Sequence, residues 1–201
     1  MLASSEDQPA TAKDANLDTA TTVGKKLDDL YQLIDGIDVC MFTTRSSSGE
    51  LASRPMATQA RIAGADLWFA ANNLTNKFDD LSFDNHVNLG YFRQNNRDWV
   101  SVSGTATKVD DREMIRKLWN TNIATWFNDL GDNVHDGGPD DPRISLIFVQ
   151  ATSVHYAIQD RTTPLVLWEL AKGAVTGNVP KVQAIRQLDA SDLEAARRVD
   201  T

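Results

Sequence analysis

What this sequence is short of narrows its reading before any motif is considered. Cysteine occurs once, at Cys40, so no disulfide can close within the chain and a disulfide-framed secreted scaffold is excluded. Its setting, Val39-Cys40-Met41-Phe42, reads as a buried strand in which a free thiol behaves as a small hydrophobe. Histidine occurs only at His86, His135 and His155, without the spacing that puts two rings on one helix face, so no metal site is expected. The aspartates of 128–141 lack the order and the closing glutamate of an EF-hand. No GxSxG elbow, Walker loop or dinucleotide-type GxGxxG is present, and no residue is assigned as catalytic.

Basic side chains are in the minority. Lys and Arg number 20 against 28 Asp and Glu, a net charge of −8. A chain so charged has no general attraction to nucleic acid or anionic membranes, although one local basic cleft is still allowed. Apolar runs long enough to span a bilayer are missing. Residues 1–22 carry Glu6, Asp7, Asp14 and Asp18 in place of the apolar core of a secretory signal or the Arg-rich character of a mitochondrial presequence. They are expected to be a solvated, flexible tail on a cytoplasmic protein.

What remains is an ordinary globular composition, 41% hydrophobic over 201 residues, enough for one domain with a substantial core. The expected division is a tail over 1–22, a central domain over 23–172 and an extension with a short helix over 173–201. Leu27, Leu30, Tyr31 and Ile34 fall at helical spacing, which predicts an amphipathic helix over 20–35 that ends near Gly36. Strands are predicted at 37–44, 51–62, 67–71, 87–92, 99–109, 144–149 and 154–158, with turns at Ser46–Glu50 and Ala63–Asp66. Pro55 cannot donate to a ladder, so its strand is placed at an edge or a bulge. Gly104 reads as a strand position of close backbone approach.

Thr75 is read as the cap of a helix carrying Phe78, Leu81 and Phe83. Asp110 with Glu113 opens another, lined by Met114, Ile115, Leu118 and Trp119. Residues 131–142 read as a flexible stretch, 164–171 and 191–198 as helices, and 172–188 as ambiguous. Closely spaced strands joined by turn chemistry predict a mainly β fold with peripheral helices, an antiparallel sheet or small barrel.

One series of segments stands out between Thr43 and Val109. Ser53-Arg54-Pro55-Met56 follows a turn, Leu67-Trp68-Phe69-Ala70 follows the next, Thr75-Asn76-Lys77 opens a helix, and Val102-Ser103-Gly104-Thr105-Ala106 closes the series. Arginine offers a planar fork suited to phosphate, and a lysine just inside a helix start adds a second cation. Each residue also has a plainer reading. Lys77 serves equally as a solvated helix lysine, Arg54 as a surface strand cation, and Trp68 and Phe69 as core.

Taken in order, and with Asp141-Pro142-Arg143 further on, these segments resemble the FMN-binding split-barrel family related to pyridoxamine 5′-phosphate oxidase. The general-stress branch, which includes fungal blue-light-inducible proteins, is the nearer likeness, over roughly residues 25–160. The resemblance implies an antiparallel split β-barrel that binds FMN non-covalently, with FAD as the alternative flavin. It implies Arg54, Thr75, Asn76 and Lys77 at the phosphate and ribityl chain. Pro55, Met56, Ala57, Thr58, Phe69 and Ala70 would lie beside the ring, and Trp99, Val100 and Ser101 at its pyrimidine side.

It also implies a homodimer with flavin at the interface. Trp126 and Phe127 would then close the site from across the dimer, while Trp119 reads better as the core face of its helix. The implied reaction class is a flavin-dependent oxidoreductase, with NAD(P)H or another small donor delivering hydride. The tail offers only Arg186-Gln187-Leu188-Asp189, and the last strand Tyr156-Ala157, so vitamin B6 oxidation is not expected. A non-enzymatic flavin carrier or stress sensor, or a barrel holding haem or a deazaflavin, are the open alternatives.

Overall fold

The structure, a computed structural model, describes residues 11–62, 66–159, 163–177 and 179–199. The turn expected at Ala63–Asp66 lies, apart from Asp66, outside the described residues. A short helix α1 (Ala12–Asn16) precedes α2 (Val23–Ile37). Thr22 caps α2 by accepting from the Lys25 N–H, and the helix ends where Asp38 takes φ 68°. Leu27, Leu30, Tyr31, Leu33 and Ile34 are its buried face, as the spacing predicts, and each side chain buried there contributes roughly 1.5–3 kcal/mol.

Strands β1 (Val39–Arg45), β2 (Leu51–Ala57) and β3 (Leu67–Asn72) lead to α3 (Lys77–Phe83), then β4 (His86–Phe92) and β5 (Trp99–Val109). Two short helices, α4 (Arg112–Leu118) and α5 (Thr121–Ala124), precede β6 (Ile144–Ile158), which is followed by α6 (Thr163–Thr176), β7 (Ala184–Leu188) and α7 (Ala190–Val199). All pairs are antiparallel, in the order β2-β1-β4-β5-β6-β3, with β7 also on β6. A bridge between Thr58 and Phe69 and a 2.8 Å bond from the Gln59 N–H to the Trp68 carbonyl bring β2 round to β3. The result is a split β-barrel: closed by one bridge, and open beyond it.

Strand β6 explains the split. Its first half pairs with β3 through Ile144–Val149, and its second half pairs with β7 through Val154–Ile158. The two stretches predicted as separate strands are therefore one. The bend is made at a register shift beside Gly104, where a Cβ would stand 2.3 Å from the Gln150 carbonyl oxygen. Glycine is required there, as the sequence suggests.

The interior holds Leu30, Phe42, Phe69, Leu89, Val102 and Tyr156 among others, and Cys40 is fully buried with them. A smaller cluster of Ile115, Leu118, Ile123, Phe127, Ile144 and Leu146 lies under α4 and α5.

Several expectations are corrected. Residues 11–22 are not a loose tail. Leu17 bridges Ile185, and Asp18 accepts from Arg186 at 2.8 Å. Strand β2 runs beside β1 only as far as Ala57, opposite Val39; the Thr58 N–H still bonds the Asp38 carbonyl at 3.0 Å, and the chain there leaves β1 to bridge Phe69. Pro55 does sit on an edge strand, exposed on the outer face. The 131–142 stretch is tethered and not free: the buried Asp141 carboxylate accepts from Gly137 N–H at 2.8 Å and from Arg143, and Trp119 Nε1–H donates to the Gly137 carbonyl at 3.0 Å. The ambiguous 172–188 region supplies β7, whose Arg186 reaches Asp29 at 2.5 Å.

Candidate functional site

Where the barrel fails to close, the edges of β2 and β3 part and α5 covers the gap. The groove between them has a volume of about 380 Å³, within the range of small-molecule sites. Met56 and Ala57 form one wall, Ala70 and Ala71 the other, and Ile123, Trp126 and Phe127 the cover. Lys77, Thr75 and Asn72 also line the groove. The lining is mostly apolar, with a few polar groups at its margins.

Lys77 is the most telling of these. It is half-buried at the first position of α3. Loss of hydration holds its ammonium below the usual lysine range, and the nearby Arg54 guanidinium pushes it the same way. Two like charges are thus brought together in a partly dry setting, which favours a bound anion. Among the described residues no carboxylate lies within ion-pair distance of Lys77.

Arg54 itself is held differently. It donates to Thr44 Oγ1 at 2.7 Å and to the Asp80 carboxylate at 3.0 Å, and Thr44 donates to the same carboxylate at 2.8 Å. The guanidinium is fixed beside the groove, with part of its five-donor fork unspent.

The structure brings most of the sequence-predicted residues together. Pro55, Met56, Ala57, Ala70, Thr75, Lys77, Trp126 and Phe127 line one groove, with Arg54 adjacent to Lys77. Phe69 is placed elsewhere: its ring is fully buried, edge-on to Phe42 at 5.2 Å. Thr58 turns inward to bond the Tyr91 hydroxyl at 2.7 Å.

Thr75 does not cap α3, since its hydroxyl donates to the Asn72 carbonyl at 2.8 Å. Asn76 is the N-cap, but it makes no side-chain cap bond. Trp99, Val100 and Ser101 are not at this groove. Val100 is in the core, and Ser101 accepts from Asn88 at 2.9 Å on the outer sheet face. Trp126 and Phe127 reach the groove of their own chain, whereas the resemblance places them across a dimer.

Sequence reasoning missed Val39, Gln59, Ala71, Asn72, Asn122 and Ile123, which also line the groove. Gln59 could have been found, as the residue one beyond the Met56-Ala57-Thr58 run. Its amide accepts from Asn120 at 2.8 Å, a contact 61 residues away in sequence that no local pattern announces.

A six-stranded antiparallel barrel split at one seam, with a cationic apolar groove in the seam, defines the class. The sequence model of the family described as "Pyridoxamine 5′-phosphate oxidase like" matches residues 25–181. Protein bli-3 of Neurospora crassa is 40% identical over 187 residues, covering 92% of this chain and 90% of that protein. The chain belongs to the pyridoxamine 5′-phosphate oxidase-like family.

Among solved structures, the general stress FMN/FAD binding protein of Xanthomonas citri aligns with TM-score 0.56 at 20% identity, over 69% of this chain and 92% of that one. General stress protein 26 of Bacillus anthracis aligns with TM-score 0.55 at 20% identity, over 65% and 92%. These likenesses are of fold. Among the described residues, no helix is long and apolar enough to cross a membrane, and no cluster of His, Cys, Asp and Glu suits a metal ion.

Proposed function

We propose that this protein binds a flavin mononucleotide in the seam groove, and that it does so as a pair of identical chains. The observation that carries the reading is Lys77: a half-buried cation, short of hydration, beside a second cation and lining an apolar slot. A phosphate would meet Lys77 and the unspent N–H groups of Arg54 through charge-assisted bonds. A planar ring would lie between Met56 and Ala57 on one side and Ala70 on the other, under Trp126 and Phe127. The flavin's own redox chemistry would be what the bound group supplies. This chain's part is to position it and to keep water from one side of it.

Two further observations support the reading. The relative from Xanthomonas citri is described as FMN/FAD binding, so the proposed ligand suits the fold. Trp99 and Ser101, which the resemblance places at the ring, lie on the outer sheet face of β5. A second copy seated on that face would present its own pair to the neighbouring groove. An oxidoreductase using NAD(P)H or another small donor is the activity we infer, with a carrier or sensor of the same flavin as its non-catalytic counterpart.

Reconstitution with FMN, FAD, deazaflavin and haem, read by absorption and by thermal melting, tests the assignment. FMN is expected to bind and to raise the melting temperature, because a ligand that binds only the folded state stabilises it. Haem uptake with no flavin uptake would overturn it. Anaerobic mixing of the loaded protein with NADH and NADPH then separates the two activities: bleaching of the flavin bands supports the oxidoreductase, and unchanged bands support the carrier.

A further inference from the structure

Two surfaces of this chain are apolar or uncharged, exposed and apart from one another. The first is helix α6. None of its described side chains is buried, and Leu165, Leu167, Trp168, Leu170 and Val175 are all exposed, Trp168 by 66%. Among the described residues, no other element packs substantially against it. A helix whose charged side chains are only Glu169 and Lys172 and whose large apolar side chains are exposed is marginal in water.

The second is the outer face of the sheet. One row crosses it through Pro55, Met41, Gly90, Ser101 and His155, in register from β2 to β6. The row beside it is Ser, Thr, Asn, Ser and Ser in the same strands. None of these ten residues is buried, and none carries a formal charge while His155 is neutral. In a chain of net charge −8, a carboxylate-free face is where two copies meet with least repulsion. Five strands of about seven residues make a face of roughly 24 Å by 23 Å. Such a footprint is well short of the ~800 Å² per partner of a standard interface. The face needs an added element to make a stable pair, and α6, about 21 Å long, is an element whose large apolar side chains stand exposed.

We propose that α6 is an exchanged arm: in the pair of chains, each α6 packs on the outer sheet face of the other copy, with Leu167 and Trp168 as its anchors. The inference rests on the pairing of two copies proposed above. Strand β6 carries His155 on the face itself, and α6 starts five residues beyond its end at Ile158, so the arm leaves from the rim of the interface it would cover. A two-fold pair satisfies both arms and both faces at once, as an isologous contact requires.

Complementation between two full-length variants tests it. In one, Leu167→Glu and Trp168→Glu spoil the arm; in the other, Met41→Glu spoils the face. Neither change touches the groove residues. The expected result is a mass near twice 22.2 kDa for the wild type by light scattering, single-chain mass for each variant alone, and recovery of a dimer on mixing them. Recovery follows because a mixed pair has one intact arm on one intact face.

Variants that stay dimeric alone, or a mixture that stays monomeric, overturn the proposal. The milder Leu167→Ser with Trp168→Ser, and Thr43→Arg on the face, serve if a glutamate variant does not fold. Sedimentation of wild type but not of the arm variant with phosphatidylcholine vesicles, at unchanged mass, would make lipid the occupant and also overturn it. Flavin content is read on every sample: a wild type that dimerises through its arms yet takes up no FMN defeats the flavin reading alone, and a monomeric wild type that binds FMN defeats the pairing and the arm.

Discussion

Arg186 and Lys77 are both cations drawn part-way out of water, and the fold treats them in opposite ways. Arg186 is surrounded by answers: Asp29 at 2.5 Å, Asp18 at 2.8 Å, with Lys25 also against Asp29. These contacts tie β7 to α2 and to the residues after α1. Lys77 is given a second cation and an apolar slot instead. Paired charges hold this molecule together, whereas Lys77, among the described residues, has no carboxylate at ion-pair distance, and on that the proposed site rests. Structural and binding roles are thus distinguishable by what each charge faces, though both residues are simply basic in the sequence.

The largest effect should come from breaking the answered cluster. Arg186→Met leaves Asp29 and Asp18 without their shared partner, and removing one side of a buried pair costs about 3–5 kcal/mol. Urea unfolding should show a midpoint well below that of the wild type, with FMN affinity of the folded fraction unchanged. Little loss of stability would mean that the cluster is decorative.

Lys77→Met should do the reverse. Its folded-state pKa is lowered, so the charge disfavours the folded form at neutral pH, and that cost fades only as pH rises through the lowered value. The variant without flavin should melt at or above the wild-type temperature at pH 7, the gap closing toward pH 10. Its FMN affinity should fall about 10- to 100-fold, the worth of one charge-assisted bond of about 1.5–3 kcal/mol. A lower melting temperature would recast Lys77 as a structural residue.

Asp141 extends the comparison to the tethered loop. Bonds from Arg143 and from backbone N–H groups hold its carboxyl at about 2, below the ordinary 3.8. A lowered carboxylate pKa contributes stability that is present above the ordinary value and lost as pH falls through the lowered one. Acid unfolding of the wild type should therefore steepen between pH 4 and 2, and Asp141→Asn should flatten that limb. The smallest effect is expected at Trp126, 82% exposed over the groove. Trp126→Ala should weaken FMN two- to tenfold, in line with about 0.5–1.5 kcal/mol for an aromatic contact, and remove most of the fluorescence quenching on binding.

How far this was legible in the sequence follows the same division. Local patterns announced α2, the edge position of Pro55 and the close approach at Gly104, because helical spacing, a missing donor and a missing Cβ are each written in one or two residues. The order Arg54, Met56, Ala70, Lys77 led to the groove for a related reason: those residues sit at the ends of consecutive elements. What was not legible was long-range. Nothing near Arg54 announces Asp80 as its partner, nor anything near Leu17 its pairing with Ile185, 168 residues on. Alternation within Leu67-Trp68-Phe69-Ala70 decides that Phe69 enters the core while Ala70 meets the groove, and which parity faces inward is set only by pairing with β6. The seam exists because one long strand is shared by β3 and β7, and that requires the whole sheet.

On the proposed reading, Lys77 waits for the phosphate of a flavin. Calorimetric titration of wild type and Lys77→Met with FMN and with riboflavin, which shares the ring and lacks the phosphate, tests it most directly. The wild type is predicted to prefer FMN by about tenfold or more, and the variant to lose most of that preference while keeping its riboflavin affinity. Equal affinity of the wild type for the two flavins, or an undiminished FMN preference in the variant, would contradict it.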